Sequence, residues 1–270
     1  MATPSDPLTG RILVLAFALF AMGAQAAGDV ESPRTGYFKL QFTPEELLGE
    51  TGVLGAEEIL RSDDRLSWQL YVPEAYSADS PAGVMVYVSP QSKGGPPRRW
   101  SSVLDEKNLI WIGAINAGNR VAVGKRMFLA MLAPKVVAQF YDIDAERIYV
   151  SGFSGGGKTA TRVAAAKPDM FRGGIYIGGA EMWGGPPPPK LNLLQQNHHV
   201  FLSGTSDFNE RLTRRVYAAY RAAGVENCRL IIVRRMGHEL PGIGTFTQAI
   251  DYLDSRSAAN EHAPASKQHE

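Results

Sequence analysis

The chain of 270 residues carries 28 lysines and arginines against 27 aspartates and glutamates, which leaves a formal net charge of only +1. Because neither sign dominates, the composition argues against a protein that binds nucleic acid or a membrane surface. The single cysteine, Cys228, cannot form an internal disulfide, and its apolar neighbours predict a small core residue.

The N-terminus has the layout of a secretory signal peptide. Arg11 precedes an apolar run at 12–20 that is too short to span a bilayer, and small residues follow, ending in Ala24-Gln25-Ala26. We expect cleavage after Ala26, which removes residues 1–26, and export of the mature protein to the periplasm or the medium. No cysteine lies near the cleavage site, so neither a lipid anchor nor stable membrane association is predicted after cleavage. The alternative is a buried N-terminal helix.

Residues 27–256 alternate between strand-like and helical patterns. A first strand is expected at 37–42, and it leads into a helix with Thr43 as N-cap, Pro44 at the first position and Glu46 closing a capping box. Further strand-like runs lie at 68–72, 84–88, 109–115, 147–150, 174–177, 200–202 and 228–233. Helical patterns lie at 121–141, 156–167, 209–223 and 242–256.

Several of these strands are apolar along their whole length, as expected when both faces of a parallel sheet are covered. The order of elements therefore predicts an α/β fold, a doubly wound, mostly parallel sheet with helices on both faces. We find no internal repeat and no second domain in the sequence, and no large cap domain is expected. Residues 257–270 have no apolar period and are predicted to form a disordered tail.

One glycine-rich stretch, GFSGGGKT at 152–159, satisfies two unrelated motifs. Its first five residues read G-x-S-x-G, the sharp turn that presents a nucleophilic serine, here Ser154, in α/β-hydrolases. All eight residues read G-x-x-x-x-G-K-T, a loop that cradles nucleotide phosphates and uses a lysine, here Lys158. Both motifs need a strand before and a helix after, and the sequence supplies both. The rest of the chain must therefore decide between them.

The phosphate-loop interpretation predicts an NTPase, but the chain lacks the other sequence features of one. Such a loop normally follows the first strand of its domain, whereas several strands precede residue 152 here. It also needs a later strand that ends in an aspartate to hold Mg²⁺, but the strands at 174–177 and 228–233 end in glycines and arginines. Export also argues against it, since nucleotide triphosphates are scarce outside the cell. Lys158 is then expected to be a solvated helix residue.

The hydrolase interpretation requires an acid and then a histidine, each just after a later strand. Two of the five histidines lie in the predicted tail. His198 and His199 precede the candidate acid, and as strand neighbours they point to opposite faces, so they form a poor metal pair. That leaves His238, directly after the last strand, with Asp207 after the preceding strand as the acid. Taken singly, Asp207 is equally typical of a helix N-cap and His238 of a structural histidine.

With these residues in this order, the chain resembles the α/β-hydrolase superfamily over essentially the whole mature sequence. YDIDAERIYVSGFSGG at 141–156 is similar to the stretch before the nucleophile in secreted polyhydroxybutyrate-depolymerase-like and feruloyl-esterase-like enzymes, in which an Asp and an Arg-(Val/Ile)-Tyr strand lead into G-x-S-x-G-G. KPDMF at 167–171 resembles the step after their nucleophile helix. The resemblance implies an exported serine hydrolase with Ser154 as nucleophile, Asp207 as acid and His238 as base.

The resemblance also implies an oxyanion hole made of backbone N–H groups, and Gly155 would supply one of them. Similar enzymes often carry His-Gly at the end of the strand that feeds the second donor. This chain has VSPQS at 88–92 instead, and Pro90 has no N–H to donate. The second donor would then be Gln91 or a neighbouring residue. The unusual loop also keeps open a non-catalytic binding protein of hydrolase fold.

The substrate side of the site is less fully specified. Trp183 begins the segment 180–197, which is too short for a lid domain and contains a stiff proline run. We expect an open cleft that accepts bulky or polymer-borne esters, with Trp183 either at its mouth or packed under the loop. Peptide hydrolysis and acyl transfer use the same machinery and stay open as alternatives. No cofactor, metal or nucleic-acid partner is expected, and the oligomeric state stays undetermined.

Overall fold

The computed structural model describes residues 33–261, and an eight-stranded sheet runs through this part of the chain. Its strands are β1 (Gly36–Phe42), β2 (Leu66–Val72), β3 (Ala82–Val88), β4 (Leu109–Ala114), β5 (Ile143–Phe153), β6 (Gly173–Ile177), β7 (His198–Gly204) and β8 (Cys228–Val233). The helices are α1 (Pro44–Leu54), α2 (Ser101–Glu106), α3 (Val123–Ala138), α4 (Gly155–Ala166), α5 (Leu191–Gln196), α6 (Glu210–Ala222) and α7 (Ile243–Glu261), with a 3-10 turn at Arg98–Trp100 before α2. The predicted signal peptide at 1–26 lies outside the described residues.

The strands lie side by side in the order β1-β2-β4-β3-β5-β6-β7-β8. β2 runs antiparallel to both of its neighbours, and the pairs from β4 to β8 are all parallel. Helices connect the parallel strands and cover both faces, so the predicted doubly wound, mostly parallel sheet is confirmed. Only residues 178–197, with the short helix α5, separate β6 from β7. The described chain therefore contains no cap domain.

The central strands are apolar throughout because both of their faces are covered. Every residue of β3, β4 and β6 is buried. Successive residues of β3 enter opposite cores: Val84 and Val86 join residues of α1, α3, α4 and α6, whereas Met85 and Tyr87 join residues of α2 and α7. This two-sided packing fixes the sheet, and the ends of β5, β7 and β8 carry the predicted site residues.

The start of α1 follows the sequence prediction. The N–H of Thr43 donates to the Glu46 carboxylate at 2.6 Å, and the Glu46 N–H donates to the Thr43 hydroxyl at 3.2 Å, which completes the capping box. The 3-10 turn with α2, and the helix α5, were not predicted. Trp100, Val103 and Leu104 are buried at helical spacing, but one turn is too short to establish a period.

The C-terminal helix α7 continues to Glu261, beyond residue 256, where the predicted domain ends. Alanines at 258 and 259 favour helix even without an apolar period, and this extends α7 into the predicted tail. Residues 262–270 lie outside the described part of the chain. Among the helices that the structure describes, none has the combined length and apolar character needed to cross a membrane.

Candidate active site

Ser154 lies on a strained turn between β5 and α4. Its backbone has φ 56° and ψ −123°, and its N–H donates to the carbonyl of Ile177 at 2.8 Å. The turn is possible because the flanking glycines have no side chains. A Cβ on Gly152 would lie 2.3 Å from the carbonyl oxygen of Gly156, and one on Gly156 would lie 1.9 Å from that of Val88. The sequence around Ser154 therefore forms the predicted nucleophile elbow.

The same geometry leaves no phosphate-binding loop at this position. β5 ends at Phe153 and α4 begins at Gly155, so a single residue joins the strand to the helix. The N–H of Lys158 donates to the carbonyl of Ser154 at 3.2 Å, in the first turn of the helix. A phosphate loop needs several free backbone N–H groups wrapped around the anion, and this turn does not provide them.

The three predicted catalytic side chains form one hydrogen-bonded chain. Nε2 of His238 lies 2.9 Å from Oγ of Ser154, and Nδ1 of His238 lies 3.0 Å from Oδ1 of Asp207. The Asp207 side chain is fully buried, whereas 22% of the His238 side chain is exposed. Because Nδ1–H donates to the carboxylate, Nε2 of the neutral imidazole faces the serine as an acceptor. The histidine is thus arranged to take a proton from Ser154.

Two residues that the sequence analysis missed support Asp207. The N–H of Asn209 donates to Oδ1 of Asp207 at 2.8 Å, and the Asn209 side-chain amide donates to the carbonyl of Gly178 at 2.8 Å. Gly178 has φ +55°, and a Cβ there would lie 2.9 Å from Oδ2 of Asp207 and 3.3 Å from Nδ1 of His238. The residue after β6 therefore leaves room for the acid–base pair. The Asp-Phe-Asn sequence was the only signal for Asn209.

Aromatic rings flank the imidazole of His238 on two sides. The Phe153 ring centroid lies 4.7 Å from it and the Phe208 centroid 4.2 Å from it. Phe208 is 76% exposed, an unusual position for a large apolar side chain. It follows Asp207 directly in the chain, yet sequence analysis did not identify it. An exposed aromatic face therefore lies beside His238.

The loops at the ends of β3 and β4 meet at the start of α4. The N–H of Gly155 stands at the helix N-terminus, where N–H groups have no partner within the helix. The N–H of Gln91, the other predicted oxyanion donor, is instead hydrogen-bonded to the hydroxyl of Ser89 at 3.1 Å. The N–H of Asn119 donates to the carbonyl of Pro90 at 3.0 Å, which joins the two loops.

Arg126, on α3, is a buried cation beneath these loops, and only 4% of it is exposed. Its guanidinium donates to the backbone carbonyls of Ala117 at 3.0 Å, Ser89 at 3.0 Å and Gly155 at 3.4 Å. No carboxylate pairs with it among the residues that the structure describes, and burial lowers the pKa of the guanidinium. Arg126 thus joins the loop after β3, the loop after β4 and the start of α4.

Trp183 is partly buried and packs against the core that contains α4 and α6. Its ring centroid lies 5.0 Å from that of Tyr220. The Trp183 ring therefore contacts Tyr220 on the core side, and a substrate-binding role for Trp183 stays a prediction.

The remaining candidates from the sequence are structural. His199 is fully buried, and its ring nitrogens bond to Tyr176 at 2.9 Å and to the carbonyl of Leu194 at 3.1 Å. His198 stacks on Tyr252, so the two histidines do face opposite sides of the sheet. Cys228 is largely buried on β8, and burial raises the pKa of its thiol to about 12. Within residues 33–261 no cluster of histidine, cysteine and carboxylate side chains could hold a metal ion.

Comparison with solved structures finds hydrolases of the same architecture. A feruloyl esterase module from Clostridium thermocellum, complexed with sinapinate, matches 93% of this chain and 98% of its own at 15% identity, with a TM-score of 0.54. S-formylglutathione hydrolase from Staphylococcus aureus matches 88% of this chain and 99% of its own at 13% identity, with a TM-score of 0.57. A ferulic acid esterase matches 83% and 99% at 14% identity, with a TM-score of 0.56.

At the level of sequence, no family model and no curated protein matches the chain. The identities to the solved structures are too low to transfer an activity, but the architecture covers nearly all of each structure. The strand order, the elbow after β5 and these three structures lead to one conclusion: the chain has the α/β-hydrolase fold.

Proposed function

We propose that this protein is a serine hydrolase that cleaves carboxylic esters through an acyl-enzyme on Ser154. The observation that carries the proposal is the continuous chain from Ser154 Oγ through His238 to Asp207, with donor–acceptor distances of 2.9 Å and 3.0 Å. A serine hydroxyl is a weak nucleophile at neutral pH, and a base within hydrogen-bond reach activates it.

In the first half of the reaction, Oγ of Ser154 attacks the ester carbonyl carbon while Nε2 of His238 takes the hydroxyl proton. Asp207 accepts the hydrogen bond from Nδ1–H, which holds the ring in the required tautomer and stabilises the imidazolium. The carbonyl oxygen becomes negatively charged, and the N–H of Gly155 at the start of α4 is placed to donate to it. Collapse of the intermediate breaks the ester C–O bond, and the imidazolium returns its proton to the leaving alcohol.

In the second half, His238 takes a proton from a water molecule that attacks the acyl carbon. The bond from the acyl carbon to Oγ then breaks, the imidazolium returns its proton to Ser154, and the carboxylic acid leaves. The His238 side chain is 22% exposed, so water can reach it once the alcohol has left. An alcohol in place of water would give acyl transfer, and a peptide in place of the ester would give proteolysis. Two of the similar structures are described as feruloyl and ferulic acid esterases, which favours the ester.

Bulky or polymer-borne esters are the proposed substrates. Only residues 178–197 connect β6 to β7, and the described chain has no cap domain to cover the triad. Phe208 stays exposed beside His238 and offers an apolar face to the leaving alcohol, which must lie near Nε2 to receive its proton.

Export of the protein is a second part of the proposal and rests on the sequence of residues 1–26 alone. N-terminal sequencing of protein recovered outside the cytoplasm should begin at Ala27. Recovery of that protein with Met1 or Ala2 still in place would contradict it.

The nucleophile is tested with a serine-directed fluorophosphonate and mapping of the adduct. The wild type should be labelled on Ser154, and Ser154→Ala should lose both the labelling and the turnover of aryl acetate esters. Lys158→Ala is the matched control on the same turn, and it should keep activity within a few-fold of the wild type. Equal labelling of Ser154→Ala and wild type would refute the proposal, as would a Mg²⁺-dependent ATP affinity that Lys158→Ala removes.

A further inference from the structure

The proposed mechanism leaves one half of the oxyanion hole unassigned. A tetrahedral intermediate of acyl transfer is commonly held by two donors, and Gly155 supplies one of them. The predicted second donor, the N–H of Gln91, is occupied by the hydroxyl of Ser89 at 3.1 Å. Pro90, the residue before it, has no N–H. The loop after β3 therefore presents no free backbone donor at Pro90 or Gln91.

Asn119 brings a side-chain donor to the same place. A Cβ on Gly155 would lie 2.3 Å from Oδ1, 2.8 Å from Cγ and 2.9 Å from Nδ2 of Asn119. The carboxamide thus fills the space that a side chain on the residue after the nucleophile would take. Asn119 is exposed, and among the described residues no hydrogen bond engages this carboxamide. Rotation about the terminal bond exchanges its oxygen and nitrogen, so Nδ2–H can turn toward a new acceptor.

We infer that Asn119 is a catalytic residue whose Nδ2–H is the second oxyanion donor, acting with the N–H of Gly155. The assignment rests on the proposed function. It explains why the residue after Ser154 is a glycine, because any side chain there would displace the Asn119 carboxamide. A side-chain amide in this role is chemically well suited, since it donates a neutral N–H to a localised negative charge.

Arg126 holds this arrangement in position. Its guanidinium bonds to the carbonyls of Ala117, two residues before Asn119, and of Gly155 itself. Its third bond, to the carbonyl of Ser89, fixes the loop after β3. In the same loop, the carbonyl of Pro90 accepts a hydrogen bond from the backbone N–H of Asn119. Because the cation is buried without a carboxylate partner among the described residues, its charge also favours a nearby anion.

The test compares Asn119→Ala and Asn119→Asp with Arg120→Ala, an exposed neighbour on the same loop, using an aryl acetate. We expect kcat to fall by about 10² to 10³-fold in Asn119→Ala with KM within a few-fold, since the donor acts on the transition state. Asn119→Asp keeps the size but replaces the donor by a negative charge, and it should lose at least as much. Arg120→Ala should stay within a few-fold of the wild type, and circular dichroism melting confirms that each variant is folded.

A second substitution separates Asn119 from Gln91. Ser89→Ala removes the hydroxyl that occupies the Gln91 N–H. If Gln91 were the donor, Ser89→Ala would raise kcat by freeing the Gln91 N–H, and adding Asn119→Ala would not lower it again. We expect the double variant to be as slow as Asn119→Ala alone. A double variant as fast as Ser89→Ala, or an Asn119→Ala variant with kcat within threefold of the wild type, would overturn the assignment.

Fluorophosphonate labelling distinguishes this failure from a failure of the proposed function. A wild type that is not labelled, or a labelled Ser154→Ala, refutes the serine hydrolase itself. A wild type labelled on Ser154 together with Asn119→Ala labelled equally fast refutes only the role of Asn119. We expect labelling of Asn119→Ala to slow in parallel with kcat, because phosphonylation also places a negative oxygen in the hole.

Discussion

Gly178 shows how a residue without a side chain can determine the geometry of a catalytic pair. It follows β6, has φ +55°, and lies where a Cβ would approach Asp207 Oδ2 at 2.9 Å, the Phe153 ring at 3.0 Å and His238 Nδ1 at 3.3 Å. The left-handed conformation costs an L-residue about 1–2 kcal/mol. Both the backbone and the surrounding side chains therefore require glycine here.

Gly178→Ala should lower both stability and activity. We expect the free energy of unfolding to fall by about 1–2 kcal/mol from backbone strain. Displacement of the Asp207–His238 pair should lower kcat by about tenfold to a hundredfold, since a shift of ~1 Å is sufficient. Urea denaturation and aryl acetate kinetics measure the two effects. Gly184→Ala, where no atom lies within 4 Å of the new Cβ, is the control, and equal activity of the two variants would contradict the argument.

At the scale of single residues, the sequence identified a serine, an acid and a histidine because their order along the chain is typical of α/β-hydrolases. Ser154, Asp207 and His238 follow β5, β7 and β8 as predicted, and the structure brings them together. Gly178 and Asn119 were missed because their roles arise from contacts between loops that are distant in sequence. Gln91 was assigned from its position alone, which could not reveal the bond to Ser89.

At the scale of elements, the proposal of an open site rests on the connection from β6 to β7. It consists of residues 178–197 and includes one six-residue helix, α5. A segment of this size cannot enclose an acyl chain, and the exposed Phe208 shows that the histidine side of the site faces solvent. Binding energy must then come from surface contacts around the scissile bond.

This connection predicts a preference for short acyl groups on aryl test esters. We expect kcat/KM to be highest for acetate or butyrate and to decline as the acyl chain lengthens, because no dry apolar cavity rewards each added methylene. A series of p-nitrophenyl esters measured below their critical micelle concentrations tests this. A long-chain preference with sharp activation at a lipid interface would show that the segment acts as a lid.

The predictability of elements depended on their length. Strands such as β3 and β4 are uninterrupted apolar runs between polar turns, and their positions were predicted within a few residues. β5 is longer than expected, since its first half, from Ile143, carries charged residues that mask the strand pattern. The helices α2 and α5 span six residues each, which is too few for an apolar period to be recognised.

At the scale of the whole molecule, His199 is a fully buried histidine whose pKa burial shifts within the acid range. Tyr176 O–H donates to its Nδ1, and its Nε2–H donates to the carbonyl of Leu194. The bond from Tyr176 requires an unprotonated Nδ1 and therefore the neutral ring, and burial lowers the pKa of His199 to about 4. The folded protein therefore binds this proton far less readily than the unfolded chain, whose histidine has a pKa of about 6.5.

Between pH 7 and 5 the unfolded state gains a proton at residue 199 and the folded state does not. Stability is thus present above the unfolded pKa and is lost as the pH falls, by about 2 kcal/mol at pH 5 from this group. His199→Gln should show a correspondingly smaller loss between the two pH values in urea denaturation. Equal slopes for His199→Gln and wild type would contradict this source of acid sensitivity.

The order of the strands along the chain also determines when, during synthesis, the site residues can meet. During translation, β5 and Ser154 are synthesised first. His238 follows 84 residues later, on the loop after the edge strand β8. β8 pairs only with β7, and the helix behind it docks by stacking Phe246 on Trp100 with ring centroids 3.9 Å apart. A growing chain therefore carries Ser154 without His238 until β8, the last strand of the described residues, has been synthesised. If Ser154 and His238 act together as proposed, nascent chains that end before β8 cannot hydrolyse esters.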